Sequence, residues 1–107
     1  MRPQRVPVNV YASTGALVIV APLPAVTPQD VTVELNEHTV RFWARLRSAG
    51  PRTYLIHEWE YGGYEREIDV PAGYGGAVEA SMMNGQLVIR VLRGATTGAI
   101  TIKPSGL

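Results

Sequence analysis

Apolar and polar residues alternate along most of this chain, in short runs that glycine and proline separate. A period of two places successive side chains on opposite faces of a strand, so each run predicts a strand with one buried face. Eleven glycines and eight prolines punctuate the runs. The alternation is clearest in three runs: Val31, Val33 and Leu35; Val78, Ala80 and Met82; and Leu87, Ile89 and Val91.

The turns between these runs predict hairpins. The polar turn Asn36-Glu37-His38 precedes a run containing Val40 and Phe42, and Asn84-Gly85 is a strong two-residue hairpin signal. Further strands are predicted at Val6 to Val10, with Pro7 suiting an edge, and at residues 16–21, 54–61 and 64–70. About eight strands and no helix predict an all-β antiparallel sandwich, which is favoured over a closed barrel that the same periodicity also fits.

Composition narrows the class of protein. A chain of 107 residues holds one domain, and its formal net charge of +1 argues against nucleic acid or an anionic membrane as the main partner. The absence of cysteine excludes disulfides, thiolate zinc sites and cysteine nucleophiles. No apolar run is long enough for a signal peptide or a membrane span, so we expect a cytoplasmic protein.

Candidate catalytic residues are few. His57 and Glu58 are neighbours on a predicted strand, so their side chains point to opposite faces and do not share one substrate or metal ion. His38 lies in a polar turn, and the sequence contains no phosphate-binding loop and no Ser–His–Asp spacing. Aromatic residues near Arg52 and Arg66 do not form a base-stacking platform, because nearby glutamates cancel the basic field. We expect no catalysis, cofactor or metal.

The end of the chain differs in composition from the alternating runs. Residues 94–98 are small and typical of a linker, and they precede the isolated apolar pair Ile100 and Ile102. Two isoleucines two residues apart match the period of an added strand, and burial of each is worth roughly 1.5–3 kcal/mol if complete. The pattern favours docking over a disordered end.

Several stretches resemble, in the same order, the alpha-crystallin domain of small heat-shock proteins over roughly residues 6–102. The sharpest is Ala80 to Leu87, which is similar to the family's "A-x-x-x-n-G-V-L", and Ile100-Thr101-Ile102 is similar to its "I-x-I" tail motif. The other matching stretches are Val8 to Tyr11, Ala21 to Val26 with Asp30 to Val33, and Tyr61 to Arg66 with Val70-Pro71.

The resemblance implies an immunoglobulin-like β-sandwich and a chaperone of the stress response that captures non-native proteins without ATP. It implies an arm at residues 1–5, the domain at 6–93 and a flexible tail at 94–107. It also implies that the tail isoleucines dock in a groove of another dimer, where client proteins also bind, and that a strand in the long loop pairs with a neighbouring subunit. The groove maps to Val31, Val33, Leu35, Val78, Ala80 and Met82, and the dimer interface to Tyr54, Leu55, Ile56, Glu58, Trp59 and Arg66.

This sequence departs from the family pattern in four places. Ala25 and Ala44 replace glycines, Arg45 replaces a glutamate, and five residues precede the first predicted strand where a longer arm is usual. We therefore expect a homodimer with limited further association through the tail. The alternation alone fits Met82 in the core and at a client surface equally. The alternative function is a non-chaperone or co-chaperone-type adaptor of the same fold that binds one folded partner.

Overall fold

Two five-stranded sheets account for the alternating sequence. The computed structural model describes residues 4–45, 53–56, 63–95 and 98–106, and within them it contains one short 3-10 helix, Pro28–Asp30. The strands are β1 Gln4–Arg5, β2 Asn9–Ser13, β3 Ala16–Pro22, β4 Val31–Leu35, β5 Thr39–Ala44, β6 Tyr64–Asp69, β7 Tyr74–Met83, β8 Gln86–Arg93, β9 Ile100–Ile102 and β10 Ser105–Gly106.

The strands pair mainly antiparallel. Sheet A has the order β1-β6-β5-β4-β9 and sheet B the order β10-β7-β8-β3-β2. The only parallel pairs in the described part of the chain join β1 to β6 and β10 to β7, so both involve a terminal segment. The all-β sandwich predicted from the sequence is confirmed.

The core lies between the two sheets. The inward positions of β4 and β5 are fully buried, and they face the inward positions of β3 and β8. Phe42 is the largest fully buried side chain of the described residues. Because the side-chain period in a strand is two, a slip of one residue in any pairing would turn these apolar residues to solvent, and the register is therefore fixed by burial.

The predicted hairpins form with the expected turns. β4 and β5 pair across Asn36 to His38, and β7 and β8 pair with Met83 opposite Gln86. Asn84 and Gly85 between them have φ values of 54° and 76°, the left-handed conformation that a tight hairpin needs and that asparagine and glycine adopt most readily.

Two strand predictions were wrong in detail. Val6 to Val10 is not one strand, because β1 ends at Arg5, β2 begins at Asn9, and Pro7 lies between them. Pro7 has no backbone N–H to give to a ladder, which fits a position between strands. The strand predicted at Tyr54 to Tyr61 does not begin by Ile56, since residues 53–56 are irregular, and residues 57–61 lie outside the described residues.

Ala25 occupies a backbone conformation that suits glycine. Its φ is 69°, and it stands where the alpha-crystallin pattern has a glycine. The left-handed conformation brings a β-carbon close to the following carbonyl and costs about 1–2 kcal/mol. Alanine in place of glycine at position 25 is therefore a source of backbone strain.

We expect Ala25→Gly to stabilise the protein by about 0.5–1 kcal/mol. The relief of strain exceeds the extra entropy that glycine gives the unfolded chain, which is about 0.4–1 kcal/mol. Urea unfolding measures the difference. The control is Ala12→Gly in β2, which lies outside the left-handed region and should be destabilised. A loss of stability in both variants would contradict the assignment of strain to Ala25.

Candidate functional site

We use the word groove for the region between the edges of β4 in sheet A and β7 in sheet B, with which the tail strands β9 and β10 pair. Its β4 wall consists of Val31, Val33 and Leu35, which are fully buried. Its β7 wall has Met82 buried and Val78 and Ala80 partly buried. The six residues assigned to the groove from the sequence therefore lie together, and all of them belong to the apolar cluster that forms the core.

The chain's own tail occupies this groove. β9 pairs antiparallel with β4, with Ile100 opposite Leu35 and Ile102 opposite Val33. Paired residues point to the same face, so both isoleucines point inward, where they pack against the core cluster. Thr101 lies opposite Glu34 on the exposed outer face. The structure makes this pairing within one chain; docking in the groove of another dimer stays a prediction.

The contact continues beyond the isoleucines. Lys103 donates from Nζ to the carbonyl oxygen of Val31 and to Oγ1 of Thr32, at 3.2 Å each. Pro104 is buried, so the inward positions of the tail are Ile100, Ile102 and Pro104. The period-two spacing of Pro104 after the isoleucines is a signal in the sequence for this third inward position, which was not predicted.

The tail then crosses to the other wall. β10 pairs parallel with β7, with Ser105 opposite Ser81 and Gly106 opposite Met82, and Ser105 Oγ donates to the carbonyl oxygen of Ala80 at 3.3 Å. A β-carbon at Gly106 would lie 2.7 Å from Cγ of Pro28, so only glycine passes there without displacing the proline. Residues 100–106 thus join the edges of both sheets.

This arrangement recognises an extended backbone and an alternating pattern. The ladder with β4 depends on main-chain groups of any sequence, while the inward pockets select apolar residues at every second position. Main-chain pairing and inward pockets of this kind suit an extended segment with apolar residues at alternate positions.

The other edges of the sheets differ from one another. At sheet A, β1 covers the edge of β6, and Arg66 donates from NH1 to the carbonyl oxygen of Val6 at 2.8 Å. At sheet B, β2 ends the strand order, so no described strand pairs with its outer edge. Val10 and Tyr11 on β2 are 43% and 53% exposed. An uncovered edge with exposed apolar side chains is a site for pairing with another chain.

The residues assigned to a dimer interface are only partly brought together. Leu55 and Ile56 are 101% and 75% exposed, and Tyr54 is also exposed. Arg66 instead holds the N-terminal segment of its own chain through Val6. Glu58 and Trp59 lie outside the described residues.

The described residues contain no group of three or more histidine, cysteine, aspartate or glutamate side chains placed to hold a metal ion. His38 is exposed and lies 3.8 Å from the Glu37 carboxylate, and His57 is outside the described residues. Nor does the described part of the chain include a helix long and apolar enough to cross a bilayer.

The solved structures that are similar to this chain include small heat-shock proteins. HspA from Xanthomonas axonopodis is 20% identical, with a TM-score of 0.74 over 86% of this chain and 96% of that chain. A small heat-shock protein from Xylella fastidiosa is 22% identical, with a TM-score of 0.73 over 86% and 88% of the two chains. Heat shock protein 16.0 from Schizosaccharomyces pombe is 18% identical, with a TM-score of 0.72 over 89% and 71%. A search of the curated proteins finds no match.

At these identities the structural likeness establishes the fold alone. The sequence itself matches the model of the Hsp20/alpha crystallin family over residues 10–103, from the second residue of β2 to just past β9, and the match therefore includes β4, β7 and the tail isoleucines. The chain belongs to the Hsp20/alpha crystallin family of small heat-shock proteins.

Proposed function

We propose that this protein is an ATP-independent holdase that binds non-native client proteins in the groove between β4 and β7. The observation that carries the proposal is the way Ile100 and Ile102 are held there, by backbone pairing and by alternate inward side chains. Unfolded proteins expose extended segments with apolar residues at alternate positions. Such a segment offers the groove the same two contacts.

Binding of this kind is an equilibrium process. Covering an apolar segment lowers the concentration of chains that can associate with one another, and no nucleotide hydrolysis is needed for that. Because the tail lies in the groove, a client must take its place. The free energy of tail docking therefore sets the apparent client affinity, since only the fraction of chains with an open groove is competent.

The direct test is the heat-induced aggregation of a model client without ATP, followed by light scattering. We expect scattering to fall at a few-fold molar excess of this protein, and an equal mass of an unrelated β-sandwich to have no effect. Unchanged scattering would contradict the proposal. Stoichiometric capture of one folded protein from unheated lysate, with no denatured clients from heated lysate, would instead favour the adaptor.

We further propose that the protein forms a homodimer through β2. The uncovered outer edge of this strand and the exposed Leu55 and Ile56 support pairing between the long loop of one copy and β2 of another. Association beyond the dimer would use the tail, exchanged between copies. A cytoplasmic location and the absence of nucleic-acid partners belong to the same proposal, supported by the cysteine-free sequence and the net charge of +1.

The mass of the purified chain, measured by light scattering after chromatography, tests the dimer. We expect the double variant Leu55→Asp, Ile56→Asp to be monomeric, because two carboxylates would be desolvated at the interface. Ala72→Asp in an exposed turn is the control and should leave the mass unchanged. A wild-type monomer, or equal masses for wild type and double variant, would contradict this interface.

A further inference from the structure

The tail passes through a narrow point at β10, between β7 and the short 3-10 helix that precedes β4. On one side Gly106 pairs with Met82 of β7. On the other side, a β-carbon at Gly106 would lie 2.7 Å from Cγ, 3.6 Å from Cβ and 3.7 Å from Cδ of Pro28. Carbon atoms in favourable contact are about 3.5–4.0 Å apart, so Cγ is the atom of Pro28 that excludes a side chain at position 106.

Pro28 is held in place by its helix. It is the first residue of that helix, where the backbone N–H and the hydroxyl of Thr27 both donate to the Asp30 carboxylate, at 3.0 and 2.9 Å. At the other end of the helix, the Val31 N–H donates to the Pro28 carbonyl oxygen, which joins the helix to the first residue of β4. The closed pyrrolidine ring has no rotamer that would turn Cγ away. The narrow point is therefore fixed to the β4 wall of the groove.

We propose that Pro28 is a specificity-determining residue of the groove, through which the β7 wall accepts only segments with glycine four residues after the second apolar residue. The tail satisfies this requirement, because Gly106 follows Ile102 by four positions. It therefore pairs with β4 and β7 at once, and Ser105 Oγ donates to the carbonyl oxygen of Ala80 at 3.3 Å.

A segment with another residue at this position still pairs with β4, because the obstruction lies beyond the two inward positions that Ile100 and Ile102 occupy. Glycine is about 7% of residues in average proteins, so most segments of unfolded proteins carry a side chain there. Pro28 thus limits most clients to the β4 wall and gives the protein's own tail a second set of contacts. The part of this inference that concerns clients rests on the proposed function, whereas recognition of the tail does not.

Peptide binding followed by NMR titration tests the requirement for glycine. The receptor is the full-length variant Ile100→Ala, Ile102→Ala, and the ligand is a capped peptide of residues 98–107, either native or with Gly106→Ala. We expect the Gly106→Ala peptide to bind about tenfold more weakly, which corresponds to about 1.4 kcal/mol, because it loses its hydrogen bonds to β7. Equal affinities for the two peptides, or no binding of the native peptide, would overturn the proposal.

A second receptor, with Pro28→Ala added to the first, shows whether the proline ring is the cause. This change removes Cγ and Cδ and leaves Cβ, which lies at an ordinary contact distance of 3.6 Å from a β-carbon at position 106. Here we expect the Gly106→Ala peptide to bind at least as tightly as the native peptide, since alanine loses less backbone entropy than glycine on ordering. A tenfold difference that persists without the ring would overturn the role of Pro28. No client is present in these titrations, so failure of the holdase proposal would leave their result unchanged.

Discussion

The double variant Ile100→Ala, Ile102→Ala is expected to exchange its β9 amides about thirtyfold faster than the wild type. Both side chains are partly buried against the core cluster, and full burial of an isoleucine is worth roughly 1.5–3 kcal/mol. A loss of about 1 kcal/mol at each position gives about 2 kcal/mol in all, or about thirtyfold in the opening equilibrium. Hydrogen exchange by NMR measures it directly, amide by amide.

The matched control for this variant lies on the same strand. Thr101 is opposite Glu34 and exposed, so Thr101→Ala alters β9 without removing an inward side chain. We expect its β9 amides to exchange at nearly the wild-type rate. Equal rates in Thr101→Ala and the double variant would contradict the role given to the two isoleucines.

Release of β9 has a consequence for client binding. Opening the strand exposes the edge of β4 at Val33 and Leu35 while the two sheets stay folded. We expect the fraction of chains with an open groove to rise by up to about thirtyfold, and the apparent affinity of the proposed client site to rise by the same factor. The tail is thus a competitor for the proposed client site and also a covering for an otherwise unpaired sheet edge.

Phe42→Ala is expected to lower the free energy of unfolding by about 3–5 kcal/mol, the range for removing a buried phenylalanine. Phe42 lies opposite Val33, and Val33 lies opposite Ile102, so one row of inward side chains connects the core to the tail. The vacated volume lies between two hydrogen-bonded sheets, so we expect it to close only in part. A loss of this size is a large share of the 5–15 kcal/mol typical of a domain.

Equilibrium unfolding in urea measures this effect through the transition midpoint at an unchanged slope. Phe42→Leu is the control, and we expect it to cost less than about 1.5 kcal/mol because most of the volume is kept. A loss below about 1 kcal/mol for Phe42→Ala would contradict the assignment of Phe42 to the hydrophobic core. Unlike the tail variant, which opens one strand, Phe42→Ala destabilises the whole domain.

The sandwich could be predicted from the sequence because a strand with one buried face has an apolar residue at every second position. This alternation is clear in Val31 to Leu35 and in Leu87 to Val91. Asn84-Gly85 predicts a hairpin turn because asparagine and glycine readily adopt the left-handed conformation. A strand that pairs through its backbone without burying one face has no such alternation and cannot be predicted in this way. Gln4 and Arg5 pair with β6 without any alternating pattern, so β1 could not be predicted.

The sequence predicted that the two tail isoleucines dock, but it did not predict how far the paired segment extends. The resemblance to the family indicated both walls, the spacing of the two isoleucines indicated a docking strand, and β10 was not predicted. That strand forms because the edges of β4 and β7 face one another across the groove. The proximity of these two edges depends on the tertiary packing of the sheets, so it cannot be predicted from a local sequence pattern.

We propose that the groove between β4 and β7 accepts either the tail or an apolar client segment, so the two should compete. In the competition experiment, a synthetic peptide of residues 98–106 is added to the Ile100→Ala, Ile102→Ala variant while it suppresses aggregation of a client. We predict that the peptide restores light scattering as its concentration rises, and that a peptide with both isoleucines replaced by alanine does not. Suppression that persists at saturating concentrations of the native peptide would mean that clients bind elsewhere and would contradict the account.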